Sequence, residues 1–235
     1  MRRILSIDWD FFCGSREHVF DSPLWGSLDR DYERSERWQA LAQKRGGTSF
    51  CILEEDFPLF GNPEQLGALK GFPCHVMVSH EHALDILKRN PEPCELFNFD
   101  AHHDLFSLSG DPKQVRPGNW VGHALSQGLI AKYACFYPFW HQDVRVSEGY
   151  DLDRTWEEID GRCDAFSVEL NRLSLETFCW HNPLGIDRVG PAKSTEVFLV
   201  QSPAWSNPLY DGVFWKWVTY LEAQIQSEPL WRSWK

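Results

Sequence analysis

The sequence predicts an α/β protein of three layers (α/β/α), in which a mostly parallel β-sheet lies between helices. Short apolar segments alternate along the chain with segments of helical character, which is the pattern of a parallel sheet covered on both faces. The chain has 235 residues, of which 43% are hydrophobic and 14% aromatic. That composition suits one domain with a large core, so we expect residues 1–235 to form a single domain.

Six short apolar or aromatic runs predict the strands. The first run is followed by D-W-D, and the third run ends in N-F and is followed by D-A-H-H-D. Polar residues therefore follow buried strands directly. The predicted strands are residues 3–7, 74–78, 95–99, 132–140, 165–170 and 197–200.

Four segments predict helices. Residues 31–44 precede Gly46-Gly47 and residues 81–88 precede Asn90-Pro91, and glycine and proline commonly end helices. A turn at Pro117-Gly118 precedes the third helix. The predicted helices are residues 31–44, 81–88, 120–130 and 210–227. Residues 14–73 are polar and rich in turn residues, so we interpret them as an irregular insertion, a common form of lid or binding loop.

Charge and cysteine usage narrow the class of protein. The net charge is -11, which disfavours nucleic acid and anionic membranes as partners and favours a cationic substrate. The seven cysteines are scattered without a C-x-x-C motif, as in proteins of a reducing compartment. Asp8 interrupts the N-terminal apolar run, and no stretch reaches the about 18 apolar residues of a membrane span. We therefore expect a cytoplasmic protein.

Acidic residues and histidines gather at three predicted strand ends. Asp8 and Asp10 follow the first strand, and His80 and His82 follow the second. The third strand leads into D-A-H-H-D, residues 100–104. Ligands of parallel α/β proteins bind beyond the carboxyl ends of the strands. Residues two apart on an extended chain share a face, so Asp100, His102 and Asp104 can point the same way.

Four converging carboxylates repel one another unless cations neutralise them. A ligand set made mostly of oxygens, with one or two imidazoles, suits Mn²⁺ better than it suits zinc of the kind bound by thiolates. Four aspartates balance two dications, which at a separation of about 3.5–4 Å can activate one water. Each motif alone also fits a structural role: D-x-H-x-D a solvated turn, D-x-D a helix cap, and His80 a surface residue.

The same residues resemble a known family. Asp100-Ala101-His102-His103-Asp104 matches the D-A-H-x-D signature of the arginase and ureohydrolase superfamily. H-E-H-A-L, beginning at His80, resembles the arginase helix start H-x-x-A-[IL], which implies that His80 rather than His82 binds metal. The segment P-G-N-W-V-G-H is similar to G-N-x-H-G, which implies that Asn119 contacts the substrate and that His123 shuttles protons.

Further motifs resemble a smaller, divergent branch of this superfamily. They are D-W-D-F-F beginning at Asp8, S-H, N-W, and S-P-A-W beginning at Ser202. Members of the branch include peptide arginases, which convert arginine residues of ribosomally made peptides into ornithine. The resemblance implies an arginase/deacetylase-like fold, two Mn²⁺ ions per chain, an arginine-containing peptide as substrate, and urea as second product. The metal ligands it implies are Asp8, Asp10, His80, Asp100, His102 and Asp104.

Several assignments stay open at this point. Ordinary arginases carry their second aspartate pair after D-A-H-x-D, where this chain has Glu169 and Asn171. We favour Asp8 and Asp10 for the metals, because aspartate is the better bridging ligand. Glu169 is then a candidate for the acid that holds the guanidinium, and Asp104 for a proton carrier as well as a ligand.

The sequence leaves two other functions open. One is a zinc- or manganese-dependent deacetylase or amidohydrolase on the same fold, although His80 and His82 are not the adjacent pair that this chemistry uses. The other is a metal-stabilised binding protein without turnover.

Overall fold

A computed structural model describes residues 1–13, 32–106, 113–144, 149–166, 169–178 and 195–234. Their strands form one sheet in which every pair is parallel, with the order β5-β4-β3-β1-β6-β2-β7. The strands are β1 Arg2–Asp8, β2 Cys74–Met77, β3 Cys94–Phe99, β4 Ile130–Pro138, β5 Leu173–Phe178, β6 Thr195–Val200 and β7 Gln224–Ile225. This sheet, with helices packed on it, confirms the predicted α/β class.

The described helices are short, and turns of 3₁₀ helix link several of them. They are α1 Asp10–Cys13, α2 Arg37–Lys44, α3 His82–Arg89, α4 Trp120–Ser126, α5 Leu152–Phe166 and α6 Asp211–Tyr220. No helix in these described ranges is long and apolar enough to traverse a lipid bilayer.

Two hydrophobic cores lie on opposite faces of the sheet. Side chains alternate along a strand, and β6 shows the result: Val197 and Leu199 join one core, whereas Phe198 and Val200 join the other. Helices α3, α4 and α5 cover the face of Phe198, and α1 and α6 cover the face of Leu199. Full burial of each such side chain stabilises the fold by roughly 1.5–3 kcal/mol.

The strand order reverses beside β1, which fixes where a site can form. From β1 the chain moves to one side for β2 and to the other side for β3, β4 and β5. β1 thereby lies between β3 and β6, with Ile7 paired to Phe99 and Asp8 paired to Val200. Such a switch point opens a crevice at the carboxyl ends of the strands, where ligands bind in α/β proteins.

Most predicted elements agree with the structure to within a few residues, but the strand predicted at residues 165–170 is wrong. Residues 165 and 166 end α5, and β5 begins only at Leu173. Leu152, Trp156 and Ile159 recur at helical spacing and pack on the core, a pattern that the sequence reading missed.

Two predicted helices are too long. The helix predicted at 120–130 ends at Ser126, because Gly128 adopts a left-handed backbone (φ 71) before β4 begins. The helix predicted at 210–227 ends at Tyr220, and the short edge strand β7 follows.

The proposed insertion at residues 14–73 lies partly outside the described residues, which lack 14–31. Its remainder is more ordered than the sequence suggests. It contains α2 and two stretches of 3₁₀ helix, Phe50–Leu53 and Pro63–Leu69. Five cysteines whose side chains are described are free thiols: Cys13, Cys51, Cys74, Cys94 and Cys135.

Candidate metal centre

Four strand ends meet at one edge of the sheet and bring the predicted ligands together. β1 ends at Asp8 and leads into α1 at Asp10, while His80 follows β2. The D-A-H-H-D sequence follows β3, and Ser202 follows β6. Because β3, β1, β6 and β2 are consecutive parallel neighbours, their carboxyl ends lie side by side.

The first group of donor atoms surrounds His80. Its Nδ1 lies 3.0 Å from Asp8 Oδ2, 3.1 Å from Asp100 Oδ2 and 3.2 Å from Asp104 Oδ2. The four side chains are at most 5% exposed. Three carboxylates thus converge on one imidazole nitrogen in the interior of the protein.

The second group is built around His102 and shares a residue with the first. His102 Nδ1 lies 3.3 Å from Asp10 Oδ2 and 3.5 Å from Asp100 Oδ1. Asp100 therefore presents one oxygen to each group, so its carboxylate joins the two groups. The side chain of His102 is 28% exposed, so solvent reaches the cluster from this side.

The electrostatics of the cluster reflect crowded negative charge. Burial, together with the charges of Asp8 and Asp100, raises the pKa of Asp10 to about 8. Burial likewise raises the pKa of Asp104 well above its usual value, together with the charge of Asp100. Protons or cations are therefore needed to hold these acids at such close range.

The pKa values of His80 and Asp100 shift in the directions that favour the charged form of each side chain. Burial lowers the pKa of His80, but hydrogen bonds with Asp100, Asp104 and Asp8 outweigh it and raise the pKa well above its usual value. Burial raises the pKa of Asp100, and its contacts with His102 and His80 more than reverse that effect. Positive charge among these carboxylates, whether a proton on His80 or a bound cation, therefore stabilises their ionised forms.

The donor chemistry fits divalent cations. In each of two groups, Asp8 with His80 and Asp100, and Asp10 with Asp100 and His102, one ligand atom per residue lies within 4.8 Å of the others. Carboxylate oxygens with an imidazole nitrogen suit Mn²⁺, and the absence of a thiolate from these groups argues against a structural zinc site. The cluster can therefore hold metal.

Side chains behind the ligands fix their orientation. Ser6 Oγ lies 2.8 Å from His80 Nε2, and Asn98 Nδ2 donates to Asp100 Oδ2 at 3.0 Å. Each is a polar residue two positions before an aspartate in a buried strand, a signal that could have identified it from the sequence. The hydroxyl of Ser202 donates to Asp8 Oδ2, which gives the S-P-A-W motif a structural role.

Trp120 is part of the centre as well as of the core. Its indole Nε1 donates to Asp104 Oδ2 at 2.7 Å, and its ring stacks on His80 with centroids 5.2 Å apart. The backbone of Asp104 is left-handed (φ 54), and its carbonyl accepts the Val121 N–H at 3.1 Å. A Cβ on Gly122 would lie 2.0 Å from the Leu105 carbonyl oxygen, so only glycine allows this approach.

Two other predicted site residues, Asn119 and His123, belong to neither donor group. The side chain of Asn119 holds its own turn, since its Oδ1 accepts the Arg116 N–H at 2.7 Å and its Nδ2 donates to Gln114 O at 3.0 Å. His123 lies half-buried in α4 and belongs to neither donor group. Their predicted roles in substrate binding and proton transfer stay predictions.

Glu169 is not brought to the cluster. It is exposed and precedes the turn Leu170–Arg172, which leads into the amino end of β5. Arg172 Nε donates to Ala131 O at 3.0 Å, at the start of β4. Glu169 and Asn171 therefore lie at the amino edge of the sheet, opposite the metal centre. Of the two alternatives for the second acidic pair, Asp8 with Asp10 or Glu169 with Asn171, the structure brings Asp8 and Asp10 to the other predicted ligands.

Comparison with protein-family models, with curated proteins and with solved structures finds no match for this chain. The likeness to arginases accordingly remains a resemblance of motifs. The structure shows that the predicted ligands in those motifs lie together at the carboxyl edge of the sheet.

Proposed function

We propose that this protein is a manganese-dependent hydrolase of the arginase type, which converts arginine residues of a peptide to ornithine and releases urea. The observation that supports this most strongly is the shared carboxylate. Asp100 faces His80 with one oxygen and His102 with the other, which supports two bound cations rather than one. The motifs resemble those of arginases, and this resemblance implies that such a centre hydrolyses a guanidinium group.

Two bound dications would supply positive charge and lower the pKa of a water in the cleft. The protein's own side chains would position the water and the guanidinium group. Water adds to the guanidinium carbon, the bond from that carbon to the side-chain nitrogen breaks, and the leaving nitrogen takes up a proton. The products are urea and an ornithine residue, so the peptide loses CH₂N₂ in total.

Asp104 is the proton carrier in this proposal. Its Oδ2 is fixed by the Trp120 indole at 2.7 Å and lies 3.2 Å from His80 Nδ1, so the carboxyl has a defined position within the first donor group. It would accept the proton released by the attacking water and return it to the leaving amine.

The exposed side of the centre suits a cationic substrate. His102 is the ligand that solvent reaches, and the half-buried ring of Trp205 stands beside it at 6.4 Å between centroids. An aromatic ring attracts a guanidinium through its π face. The net charge of -11 adds a long-range attraction for cations.

The deacetylase alternative has less support. His82 Nδ1 lies 2.9 Å from Ser227 Oγ, whereas His80 belongs to the donor group. The two histidines therefore do not form the paired acid and base that deacetylation uses. A metal-stabilised binding protein is the remaining alternative, and it is distinguished by the absence of turnover.

The test is a mass-spectrometric assay on arginine-containing and acetyl-lysine-containing peptides, with the protein loaded with Mn²⁺. We expect loss of CH₂N₂ at an arginine residue and release of urea. His102→Ala should abolish both and lower the bound manganese, while His82→Ala, a nearby histidine outside the donor groups, should retain activity. Deacetylation instead, or bound manganese with no change in either peptide class, would refute the proposal.

A further inference from the structure

The loop after β6, residues 201–207, contacts the metal centre through Ser202. The Ser202 hydroxyl donates to Asp8 Oδ2, the same oxygen that faces His80. Ser202 also has a left-handed backbone (φ 46), a conformation that a serine adopts only where its surroundings hold it. The orientation of Asp8 thus depends on how firmly this loop is held.

Backbone hydrogen bonds fix one side of the loop. Ser202 N donates to Val78 O at 3.0 Å, which ties the loop to the end of β2. The N–H groups of Trp205 and Ser206 both donate to Ser202 O, at 2.9 and 3.0 Å. These bonds form a tight turn around Ser202. The carbonyl groups of Pro203 and Ser206 point away from that turn and accept hydrogen bonds from a residue outside the loop.

That residue is Arg232, close to the carboxyl end of the described chain. Its buried guanidinium donates through Nη1 to Pro203 O and to Ser206 O, the latter at 2.9 Å. Nε donates at 2.9 Å to Asp211 Oδ2, at the start of α6, and Nη2 donates to the other oxygen of Asp211. The rigid planar fork of arginine thereby joins the loop to a helix that is itself packed in the core.

A second link connects the same two segments. The side-chain amide of Gln201 donates to Leu230 O at 2.7 Å and accepts the Leu230 N–H at 2.7 Å. It also donates to Asp211 Oδ1 at 3.2 Å. Residues 230–232 therefore hold the loop at two places: at Gln201, its first residue, and at the backbone carbonyls of Pro203 and Ser206.

We propose that Arg232 is a positioning residue of the metal centre: it holds the 201–207 loop so that Ser202 orients Asp8 for Mn²⁺ at the His80 group. This inference rests on the metal centre of the proposed function. It extends that centre to a residue that lies in the carboxyl-terminal segment and contacts no ligand. Because Asp8 belongs to the His80 group alone, the effect should be confined to one of the two ions.

The test is calorimetric titration of the full chain with Mn²⁺. Removing Arg232 alone would leave the Asp211 carboxylate buried and unpaired, so the variant combines Arg232→Met with Asp211→Asn. We expect about 10–100-fold weaker binding of one ion and unchanged binding of the other, the usual effect of losing a side chain that orients a ligand. Ser202→Ala should weaken the same ion selectively.

A double-mutant cycle separates positioning from general destabilisation. In a Ser202→Ala background the Arg232 and Asp211 changes should weaken the ion no further, because the group through which Arg232 acts is already gone. Full additivity, equal weakening of both ions, or wild-type affinity at both would overturn the inference. If the paired variant fails to fold, Arg232→Lys decides in the same cycle, since lysine retains the charge but cannot reach both carbonyls and Asp211.

Failure of this inference can be distinguished from failure of the proposed function. Wild-type protein that binds two ions but hydrolyses no guanidinium refutes the proposed function and leaves this inference to its own titration. Hydrolysis by the wild type, combined with unaltered ion binding in the Arg232 and Ser202 variants, refutes this inference alone.

Discussion

Asp100 is the residue on which both donor groups depend. Its Oδ2 is 3.1 Å from His80 Nδ1, and its Oδ1 is 3.5 Å from His102 Nδ1. Asp10, in contrast, belongs to the His102 group alone. The two aspartates therefore make different predictions.

Asp100→Asn should remove high-affinity binding of both Mn²⁺ ions, because each donor group loses a charged ligand. Asp10→Asn is the matched comparison and should weaken only one ion. Titration calorimetry counts the sites directly. Two wild-type sites in Asp100→Asn would show that this carboxylate does not bridge.

Ser6 tests the role of residues behind the ligands. Its hydroxyl lies 2.8 Å from His80 Nε2 and fixes which ring nitrogen faces the carboxylates. Ser6→Ala should lower Mn²⁺ affinity by about 10–100-fold with little change in far-UV circular dichroism. Ser126→Ala, which removes a hydroxyl at an exposed helix end, is the control; equal affinities in the two variants would contradict the role of Ser6.

Trp205 tests how the substrate is held. If its ring contacts the guanidinium, Trp205→Ala should raise KM for an arginine peptide by about 3–10-fold, while the manganese content stays at the wild-type level. Trp205→Phe should restore part of the affinity. An unchanged KM in the alanine variant would place the substrate elsewhere.

At the scale of the elements, short apolar runs decided which strands could be predicted. The predicted strands at 3–7, 74–78 and 95–99 correspond to β1, β2 and β3, because each is a short apolar run before polar residues. The parallel class then implied that their carboxyl ends meet, and the ligands were predicted on that basis.

The missed helix α5 had a consequence for the site. Reading residues 165–170 as a strand placed Glu169 at a carboxyl end, whereas it actually precedes the amino end of β5. The contacts of Trp120 and Arg232 could not be predicted, since they join residues 16 and 21 positions apart, Asp104 with Trp120 and Asp211 with Arg232. Periodicity and motif spacing carry no information on such contacts.

β6 offers a test of the packing. Phe198 is fully buried in the core that α3, α4 and α5 cover. Phe198→Ala should lower the free energy of unfolding by about 3–5 kcal/mol. Phe139→Ala is the control, because this ring is 56% exposed, and should change it by less than about 0.5 kcal/mol. Similar values in urea denaturation would contradict the assignment of the core.

At the scale of the whole molecule, the two edges of the sheet carry different electrostatics. The carboxyl edge gathers the acids of the metal centre, whereas the amino edge holds Glu196 between Arg2 and His75. Contact with His75 lowers the pKa of Glu196 below its ordinary value of 4.5, burial raises it by less, and the charge of Arg2 lowers it again.

This shift predicts a pH dependence of stability. A carboxyl whose pKa is lower in the folded state stabilises the fold above its unfolded pKa, and the contribution disappears as the pH falls through the folded pKa. Glu196→Gln should therefore cost up to about 1 kcal/mol at neutral pH. The difference from wild type should vanish in strongly acidic solution; a difference independent of pH would contradict the ionic role of Glu196.

The central claim is that separate strand ends build one centre for two cations around a shared aspartate. The most direct measurement is an anomalous difference map of crystals soaked in Mn²⁺. The account predicts two peaks about 3.5–4 Å apart, one beside His80 and the other beside His102, with Asp100 contacting both. A single peak, or none at this edge of the sheet, would contradict it.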